Sequence, residues 1–174
     1  MRDKLNPHLP NILVIITPMM KKNFKKFGQV VGFDLTFSLI KERTADNSEY
    51  MVGLFANYNY FKKIVIFGIV ITNSQTSFAY SYILQSFFDI MGSQPETIIT
   101  DEEKSLFYAL KELKDKGIFK GTHLFDMFHI LRKFRKCYFE GENFQLLRKL
   151  IHAPNRVEYR KIFDEFKTKI KTEK

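Results

Sequence analysis

The chain has 174 residues, of which 45% are apolar and 16% aromatic. This length suits one domain with a sizeable buried core, and the composition excludes a wholly disordered protein. The formal charge of +9, from 28 basic and 19 acidic side chains, favours an anionic partner such as nucleic acid, although a lysine-rich surface that only keeps the protein in solution is an equal alternative.

No stretch has the roughly 20 consecutive apolar residues of a membrane span, so no membrane partner is expected. The apolar run at residues 12–16 is too short for the core of a signal peptide. A single cysteine, Cys137, excludes an internal disulfide. We therefore expect a soluble protein of a reducing intracellular compartment.

The first 28 residues are predicted to form a lead-in strand and helix. Residues 12–16 are β-branched and apolar, which favours a short strand. Thr17 and Pro18 begin a helix, because a hydroxyl caps the first turn and proline fits its first position. Gly28 ends that helix. Its lysines recur at i, i+4 spacing, which is typical of a solvated face: Lys21, Lys22, Lys25 and Lys26.

Residues 29–40 carry the clearest strand signal. From Phe33 onward apolar and polar residues alternate, as in a strand with one buried face. Asp34 falls on the polar side of that alternation. A carboxylate in an aromatic, β-branched strand is costly to bury, so it needs a metal, a cationic partner or an exposed face. The sequence leaves these three alternatives open.

The remaining segments predict a mixed sheet with helices. Two more strands are expected at residues 50–58 and 63–72, with a turn at residues 57–59, and the second is apolar on both faces like a covered central strand. The later elements are a helix at 76–91 with a core-facing aromatic stripe, a strand at 97–100, a helix at 102–115, a strand at 122–126, and helices at 127–138, 142–151 and 156–171. The order β-β-β-α-β-α-β-α followed by helices is that of a ribonuclease-H-like α/β sheet flanked by helices.

A second aspartate, Asp101, directly follows the strand at 97–100. In this strand order the strand of Asp34 and that of Asp101 are neighbours, so the two carboxylates are expected to converge where ligands of open α/β sheets bind. Such a pair suits Mg²⁺ or Mn²⁺ in a two-metal site with ions roughly 3.5–4 Å apart. Alternatively, Thr100 or Asp101 caps the next helix and Glu103 closes a capping box.

A second candidate cluster has the spacing H-x2-D-x2-H, formed by His123, Asp126 and His129, with Cys137 further on. It straddles a predicted strand-to-helix junction, where these side chains need not converge. A structural zinc site also requires four ligands in a tighter pattern. Zinc is therefore the minor alternative.

Taken together, the motifs resemble the catalytic domain of Mutator-like (MULE) transposases over roughly residues 25–136. The matching segments are GFDLTF at 32–37, TSFAYSYILQSFF at 76–88, IITDEEKSLFYAL at 98–110 and HLFDMFHILRK at 123–133. The resemblance implies that Asp34 and Asp101 are the first two acids of a DDE triad and ligate metal. It also implies that Asp126 and His129 form the C/D-x-x-H motif of the family.

The helix after that motif carries four basic side chains, Arg132, Lys133, Arg135 and Lys136. In the resemblance they lie near the site and contact nucleic-acid phosphates. The alternative is a solvated basic face.

The resemblance also implies a third carboxylate, well downstream of the C/D-x-x-H motif and beyond an all-helical insertion. The candidates are Glu140, Glu142, Glu158 and Glu165, and none has the family context. Glu140 and Glu142 are the fallback. On this basis residues 1–28 are a lead-in, 29–138 the ribonuclease-H-like domain and 139–174 the start of the insertion, and we expect a catalytic-domain fragment without the zinc-finger segment of the family.

The function implied by the resemblance is metal-dependent cleavage and strand transfer of DNA by the full-length protein, in the nucleus, with Mg²⁺ or Mn²⁺ as cofactor. The implied partners are transposon ends and target DNA, together with further copies of the full-length protein. Two alternatives remain. One is an inactive or domesticated remnant that binds DNA or a protein through its basic helices, and the other is a self-sufficient nuclease that uses Glu140 or Glu142.

Overall fold

The computed structural model describes residues 10–36, 49–137 and 142–172. Its strands are β1 (Ile12–Ile15), β2 (Val30–Thr36), β3 (Met51–Tyr58), β4 (Ile64–Thr72), β5 (Thr97–Thr100) and β6 (Thr122–Phe125). Its helices are α1 (Pro18–Phe27), α2 (Ser77–Met91), α3 (Lys104–Asp115), α4 (Met127–Cys137), α5 (Glu142–Ile151) and α6 (Arg156–Thr172). Each corresponds to an element expected from the sequence; the predicted continuation of β2 through residues 37–40 lies outside the described residues.

The six strands form one mixed sheet in the order β1-β4-β3-β2-β5-β6. β2 and β3 are antiparallel, whereas β2, β5 and β6 run parallel to one another. The predicted neighbourhood of the strands that carry Asp34 and Asp101 is thus confirmed. The predicted fold class is also confirmed, since this mixed sheet with its helices is compatible with a ribonuclease-H-like fold. The lead-in strand β1 joins the same sheet, antiparallel to β4 at its edge.

The chain divides into two compact units, Met1–Asp126 and Met127–Lys174. The first contains the sheet with α1, α2 and α3. The second contains α4, α5 and α6 around a small apolar core of Leu146, Leu147, Leu150 and Phe166. The domain boundaries predicted after residues 28 and 138 stay predictions. Within the described residues, no helix combines the length and apolarity needed to span a membrane.

The core of the first unit is largely aromatic. Phe55 stacks between Phe33 and Phe87, with ring centroids 4.4 and 3.9 Å away, and Phe24 of α1 meets Phe87 edge-on at 5.5 Å. Burial of each such side chain contributes about 1.5–3 kcal/mol. The predicted core stripe of α2 is confirmed, because its members are all buried: Tyr80, Ile83, Leu84, Phe87, Phe88 and Met91.

The two faces of the sheet differ. Val31 and Phe33 of β2 are buried in the cluster that also contains apolar side chains of α1, α2 and α3. Residues in alternate positions belong to the other face, where Leu54 of β3 and Leu124 of β6 are exposed. β4, expected to be covered on both sides, is buried on the helix-facing side and only half-buried on the other.

Two local features follow from single side chains. Thr17 caps α1 as predicted, since its Oγ1 accepts a hydrogen bond from the backbone N–H of Met20 at 3.2 Å. The β3–β4 turn lies later than the predicted residues 57–59, because β3 continues to Tyr58. There the N–H of Lys62 donates to the carbonyl of Asn59 at 2.9 Å.

Candidate carboxylate site at the ends of three parallel strands

The last pair of the β2–β5 ladder is aligned with the last pair of the β5–β6 ladder, although β2 itself continues to Thr36. Phe33 pairs with Thr100, and Thr100 pairs with Phe125. Neighbouring strands lie about 4.8 Å apart, so these three residues form one row across the sheet. The next residue on each strand is acidic: Asp34, Asp101 and Asp126.

Asp34 is exposed, although Phe33 beside it is only 2% exposed. The strand alternation explains the difference, because Phe33 faces the helices and Asp34 faces the open side, opposite Leu54 of β3. The structure therefore supplies the exposed face that the sequence left as one alternative. A carboxylate on an exposed face also remains accessible to a cation.

Asp101 does not cap the helix that follows it, and the predicted cap at Thr100 or Asp101 is wrong. α3 begins at Lys104, and its N-cap is Glu103, whose two carboxylate oxygens accept from the backbone N–H groups of Ser105 at 3.2 Å and Leu106 at 3.1 Å. The longer glutamate side chain folds back on its own helix end. Asp101, two residues earlier, accepts a bond from the N–H of Glu103 at 3.4 Å.

Tyr80 of α2 lies beneath the aspartates. Its ring is buried and meets Phe33 edge-on, with centroids 6.3 Å apart, and its hydroxyl lies within electrostatic reach of the Glu103 carboxylate. Burial raises the Tyr80 pKa far above its usual value; the negative charge of Glu103 raises it further, followed by those of Asp101 and Asp34. The hydroxyl is therefore a neutral donor that lies within electrostatic reach of both aspartates.

A second polar pair, formed by the buried Thr100 and the half-buried His123, holds the backbone at Asp101. The Thr100 hydroxyl lies 2.8 Å from Nε2 of His123 and 2.8 Å from the carbonyl oxygen of Asp101. When the hydroxyl donates its one hydrogen to that carbonyl, Nε2 of His123 is the donor to Thr100. Burial lowers the pKa of His123, and the nearby charge of Lys114 lowers it further. His123 is thus set to act as a neutral structural partner of Thr100.

The two halves of the D-x-x-H motif fall into different units. Asp126 is the last residue of the first unit, and its N–H donates to the carbonyl of Thr100 at 2.6 Å. His129 lies on α4 in the second unit. In the part of the chain that the structure describes, no three His, Cys, Asp or Glu side chains are grouped so that they could hold a metal ion.

The predicted basic residues lie on α4. Arg132, Lys133 and Arg135 are exposed, while Leu131 and Phe134 of the same helix pack against the core of the second unit. Lys136 belongs to the same helix, but its side chain is outside the described residues. The exposure of these basic side chains is compatible with contacts to nucleic-acid phosphates and equally with a helix face that only contacts solvent.

The candidates for a third carboxylate are scattered. Glu140 lies outside the described residues, and Glu142 is the first residue of α5. Glu158 and Glu165 lie on α6, where Glu165 forms an ion pair with Lys169 at 3.9 Å. By register, Asp34 and Asp101 each directly follow a member of the last β2–β5 pair, and Asp126 directly follows the last residue of β6.

Comparison with known proteins gives a limited match. No protein-family profile matches the chain. Over 114 residues, or 65% of its length, the chain is 25% identical to Protein FAR-RED IMPAIRED RESPONSE 1 of Arabidopsis thaliana, and the match spans 13% of that protein. This partial, distant similarity is consistent with an origin among Mutator-like transposases.

Sequence analysis missed the role of Tyr80, and it named Glu103, Thr100 and His123 in other roles than those the structure gives them. Tyr80 follows the apolar period of α2, so its position indicates a core residue and nothing more. The available signal was its hydroxyl, because a buried tyrosine normally finds a hydrogen-bond partner. The identity of that partner depends on contacts between α2 and α3, which are distant in sequence.

Proposed function

We propose that this chain is part of a transposase-derived protein of Mutator type, whose first unit holds a divalent metal for cleavage of DNA phosphodiesters. The observation that carries the proposal is the β2–β5 ladder. Its last pair, Phe33 and Thr100, is followed on both strands by an aspartate. The carboxyl ends of parallel strands are where open α/β sheets bind their ligands.

The donor set fits a hard cation only in part. Mg²⁺ and Mn²⁺ prefer oxygen ligands, and Mg²⁺ is commonly held by one or two carboxylates plus water and substrate phosphates. Asp34 and Asp101 supply two carboxylates, and Asp126 lies one strand further along. When bound, such an ion activates water for attack and stabilises the leaving oxygen.

The neighbouring side chains orient this pair. Tyr80 and Glu103 link α2 to the start of α3 beneath the aspartates. Thr100 and His123 fix the backbone on which Asp101 sits. On the second unit, Arg132, Lys133, Arg135 and Lys136 are proposed to contact phosphates, with His129 and Asp126 as the C/D-x-x-H motif. A third carboxylate from Glu140, Glu142, Glu158 or Glu165, or from beyond this chain, belongs to the same proposal.

DNA is the proposed partner, the nucleus the proposed compartment, and self-association is proposed for the full-length protein. The net charge of +9 and the similarity to the Arabidopsis protein support a transposase-derived, DNA-directed role. Because the match covers 13% of that protein, catalysis by the whole protein is part of the proposal.

A second candidate function is DNA or protein binding by a domesticated domain that no longer cleaves. The observation that favours it is the lack, among residues 10–36, 49–137 and 142–172, of a group of three ligands that could hold a metal. Salt and metal separate the two functions. Binding through basic side chains weakens steeply and log-linearly with salt and does not need Mg²⁺, whereas cleavage does.

The deciding experiment compares Asp34→Asn and Asp101→Asn with Asp89→Asn, an exposed aspartate on α2. We expect Mn²⁺ to raise the melting temperature of the wild type and the Asp89 variant but not of the two site variants. At a metal concentration of about 100 times Kd the stabilisation is about 2.7 kcal/mol. In a version of the protein that nicks DNA with Mn²⁺, the two site variants should lose that activity.

Unchanged Mn²⁺ stabilisation in both site variants would contradict the metal site. Cleavage by this chain alone that Glu142→Gln abolishes would instead favour the self-sufficient nuclease. Salt-sensitive DNA binding without any effect of Mn²⁺ would favour the domesticated domain.

A further inference from the structure

The tip of the β3–β4 hairpin, residues Tyr60, Phe61, Lys62 and Lys63, exposes two aromatic rings to solvent. Tyr60 is 87% and Phe61 82% exposed, and both lysines are exposed as well. Large apolar rings this exposed and this close together commonly mark a binding surface. We call these four residues the aromatic tip.

The aromatic tip is held in shape by Asn59. Its side-chain Oδ1 accepts from the N–H groups of Phe61 at 2.9 Å and Lys63 at 3.0 Å. Its backbone N–H donates to the carbonyl of Lys63, and its own carbonyl accepts from Lys62, both at 2.9 Å. A turn fixed by four hydrogen bonds has little conformational entropy left to lose on binding.

The surroundings of the aromatic tip are basic. Phe27, the last residue of α1, meets Tyr60 edge-on at 5.3 Å, and its carbonyl accepts from Nδ2 of Asn57 at 3.4 Å. The last turn of α1, which carries Lys25 and Lys26, therefore lies beside the tip. The segments that build this region, residues 10–33 and 50–88, contain no Asp or Glu.

This surface is distinct from the aspartate pair. β3 runs antiparallel to β2, and Asp34 is paired with Leu54, five positions before Asn59 along the strand. At about 3.3 Å per residue, the turn lies roughly 17 Å along the strand from that pair. The aromatic tip therefore lies beyond one end of β3, well apart from Asp34, which is paired near the middle of that strand.

We propose that the aromatic tip binds single-stranded nucleic acid, with unpaired bases stacked on Phe61 and Tyr60 and phosphates held by Lys62, Lys63 and the lysines of α1. Aromatic side chains stack on any base, and interleaved lysines track the backbone. A charge of one sign around the rings favours a polyanion over a typical protein partner, whose contact surface would need acidic side chains to match it. This function goes beyond the proposed cleavage site and does not depend on it.

The backbone at Lys62 supports the assignment. Lys62 has a φ of 57°, the left-handed region in which glycine is the ordinary residue at this place in a hairpin loop. A lysine here keeps a charge next to Phe61 at a conformational cost, and such local strain often accompanies function.

The test measures binding of the whole chain to a labelled oligothymidylate of about 16 nucleotides, to oligouridylate of the same length and to duplex DNA, with EDTA present. We expect Phe61→Ala to weaken oligothymidylate binding about tenfold, because one stacked base contributes about 1–3 kcal/mol. Phe61→Trp should retain the affinity. Tyr108→Ala, which removes an exposed aromatic from α3, is the matched control and should leave the affinity unchanged.

A second pair of variants addresses charge. Lys62→Gln with Lys63→Gln should weaken binding to the single strand and reduce the slope of log affinity against log salt by about 1.4, whereas Lys104→Gln with Lys111→Gln on α3 should do neither. All four lysines are exposed, so melting temperatures should match that of the wild type and show that the variants fold.

Comparison of the three nucleic acids shows which kind of nucleic acid the aromatic tip binds. A Phe61-dependent loss in both single-stranded arms supports recognition of unpaired bases in general, and a loss confined to oligothymidylate assigns DNA. Equal affinity for duplex DNA with no effect of Phe61→Ala would overturn the proposal in favour of plain electrostatic binding. Phe61-dependent self-association without oligonucleotide binding would overturn it in favour of a protein contact. Asp34→Asn should bind oligothymidylate normally, so failure of the cleavage proposal and failure of this one are distinguishable.

Discussion

The hydroxyl of Tyr80 on α2 lies within electrostatic reach of the carboxylate of Glu103, the residue that caps α3, and that charge raises the Tyr80 pKa. A buried side chain of one helix thus faces the start of the next, close enough to Asp34 and Asp101 for their charges to act on it as well. Glu103 uses its two carboxylate oxygens to cap the helix end, so its carboxylate serves structure. Asp34 and Asp101 remain the candidate metal ligands.

Tyr80→Phe should lower the free energy of unfolding by about 1–2 kcal/mol, because we expect the buried Tyr80 hydroxyl to hydrogen-bond to the nearby charged carboxylate of Glu103, and its removal creates no cavity. Urea unfolding followed by circular dichroism measures the change. Tyr82→Phe on the same helix is the control, since Tyr82 is exposed, and it should stay within about 0.5 kcal/mol of the wild type. Equal effects of the two variants would contradict the buried hydrogen bond.

Glu103→Ala should lower the free energy of unfolding by more than Tyr80→Phe does. Loss of the cap costs about 1 kcal/mol, and the Tyr80 hydroxyl is left buried without its partner, which adds about 1–3 kcal/mol. The same unfolding assay applied to the double variant tests the coupling. Glu103→Ala should cost at least about 1 kcal/mol less in the Tyr80→Phe background, and strict additivity would argue against a direct bond. Glu96→Ala, an exposed glutamate before β5, is the control.

The stability of the protein should fall as the pH drops below about 6.5, the usual pKa of histidine. Burial and then Lys114 lower the folded-state pKa of His123, so the unfolded chain binds this proton more readily than the folded one. The contribution of His123 to the free energy of unfolding is therefore complete above the pKa that His123 has in the unfolded chain. It is lost as the pH falls towards the pKa of His123 in the folded protein, and the free energy of unfolding changes by at most about 1.4 kcal/mol per pH unit.

Urea unfolding at several pH values between neutrality and the range where carboxylates titrate measures this slope. His123→Gln should flatten it, and Lys114→Gln should reduce it, because each removes part of the penalty for protonation. His152→Gln, at an exposed histidine, should follow the wild type. If His123→Gln keeps the pH dependence of the wild-type free energy of unfolding, other titratable groups cause that dependence.

Lys62→Gly should raise the free energy of unfolding by up to about 1 kcal/mol, because glycine adopts a φ of 57° without the steric cost that Lys62 carries. The gain is reduced by the greater freedom of glycine in the unfolded chain. The same variant should bind oligothymidylate more weakly, since it loses a charge beside Phe61. Melting temperature and binding are measured on one preparation, and Lys63→Gly is the control without a left-handed backbone.

If Lys62→Gly raises the free energy of unfolding and weakens oligothymidylate binding, the backbone strain at Lys62 is retained because the lysine contributes to binding. A loss of stability in Lys62→Gly would mean that the lysine side chain contributes to the folded state in some other way.

Much of the fold could be predicted because its signals are local. The alternation that begins at Phe33 fixed which side of β2 is buried, and the core stripe of α2 follows from apolar side chains at three- and four-residue steps. The neighbourhood of β2 and β5 followed from the order of elements, since that order matches a known sheet topology. For the same reason the sequence alone could predict that Asp34 and Asp101 lie on neighbouring strands or directly after them.

The remainder depends on contacts between segments far apart in the chain. The sequence around Glu103 is compatible with several capping residues, and only the packed position of α3 decides that Glu103 caps it and that the Tyr80 hydroxyl lies near this carboxylate. The partner of Thr100 is His123, which lies on the next parallel strand.

The sequence by itself determined the secondary-structure elements, their buried faces and the choice of the two candidate aspartates, since each follows from the pattern of neighbouring residues. Tertiary structure alone decided the register that aligns Asp34, Asp101 and Asp126, the buried polar pairs that support them and the exposure of the aromatic tip. Register, polar partnership and exposure are set by the free energy of packing whole elements together, which no short stretch of sequence contains.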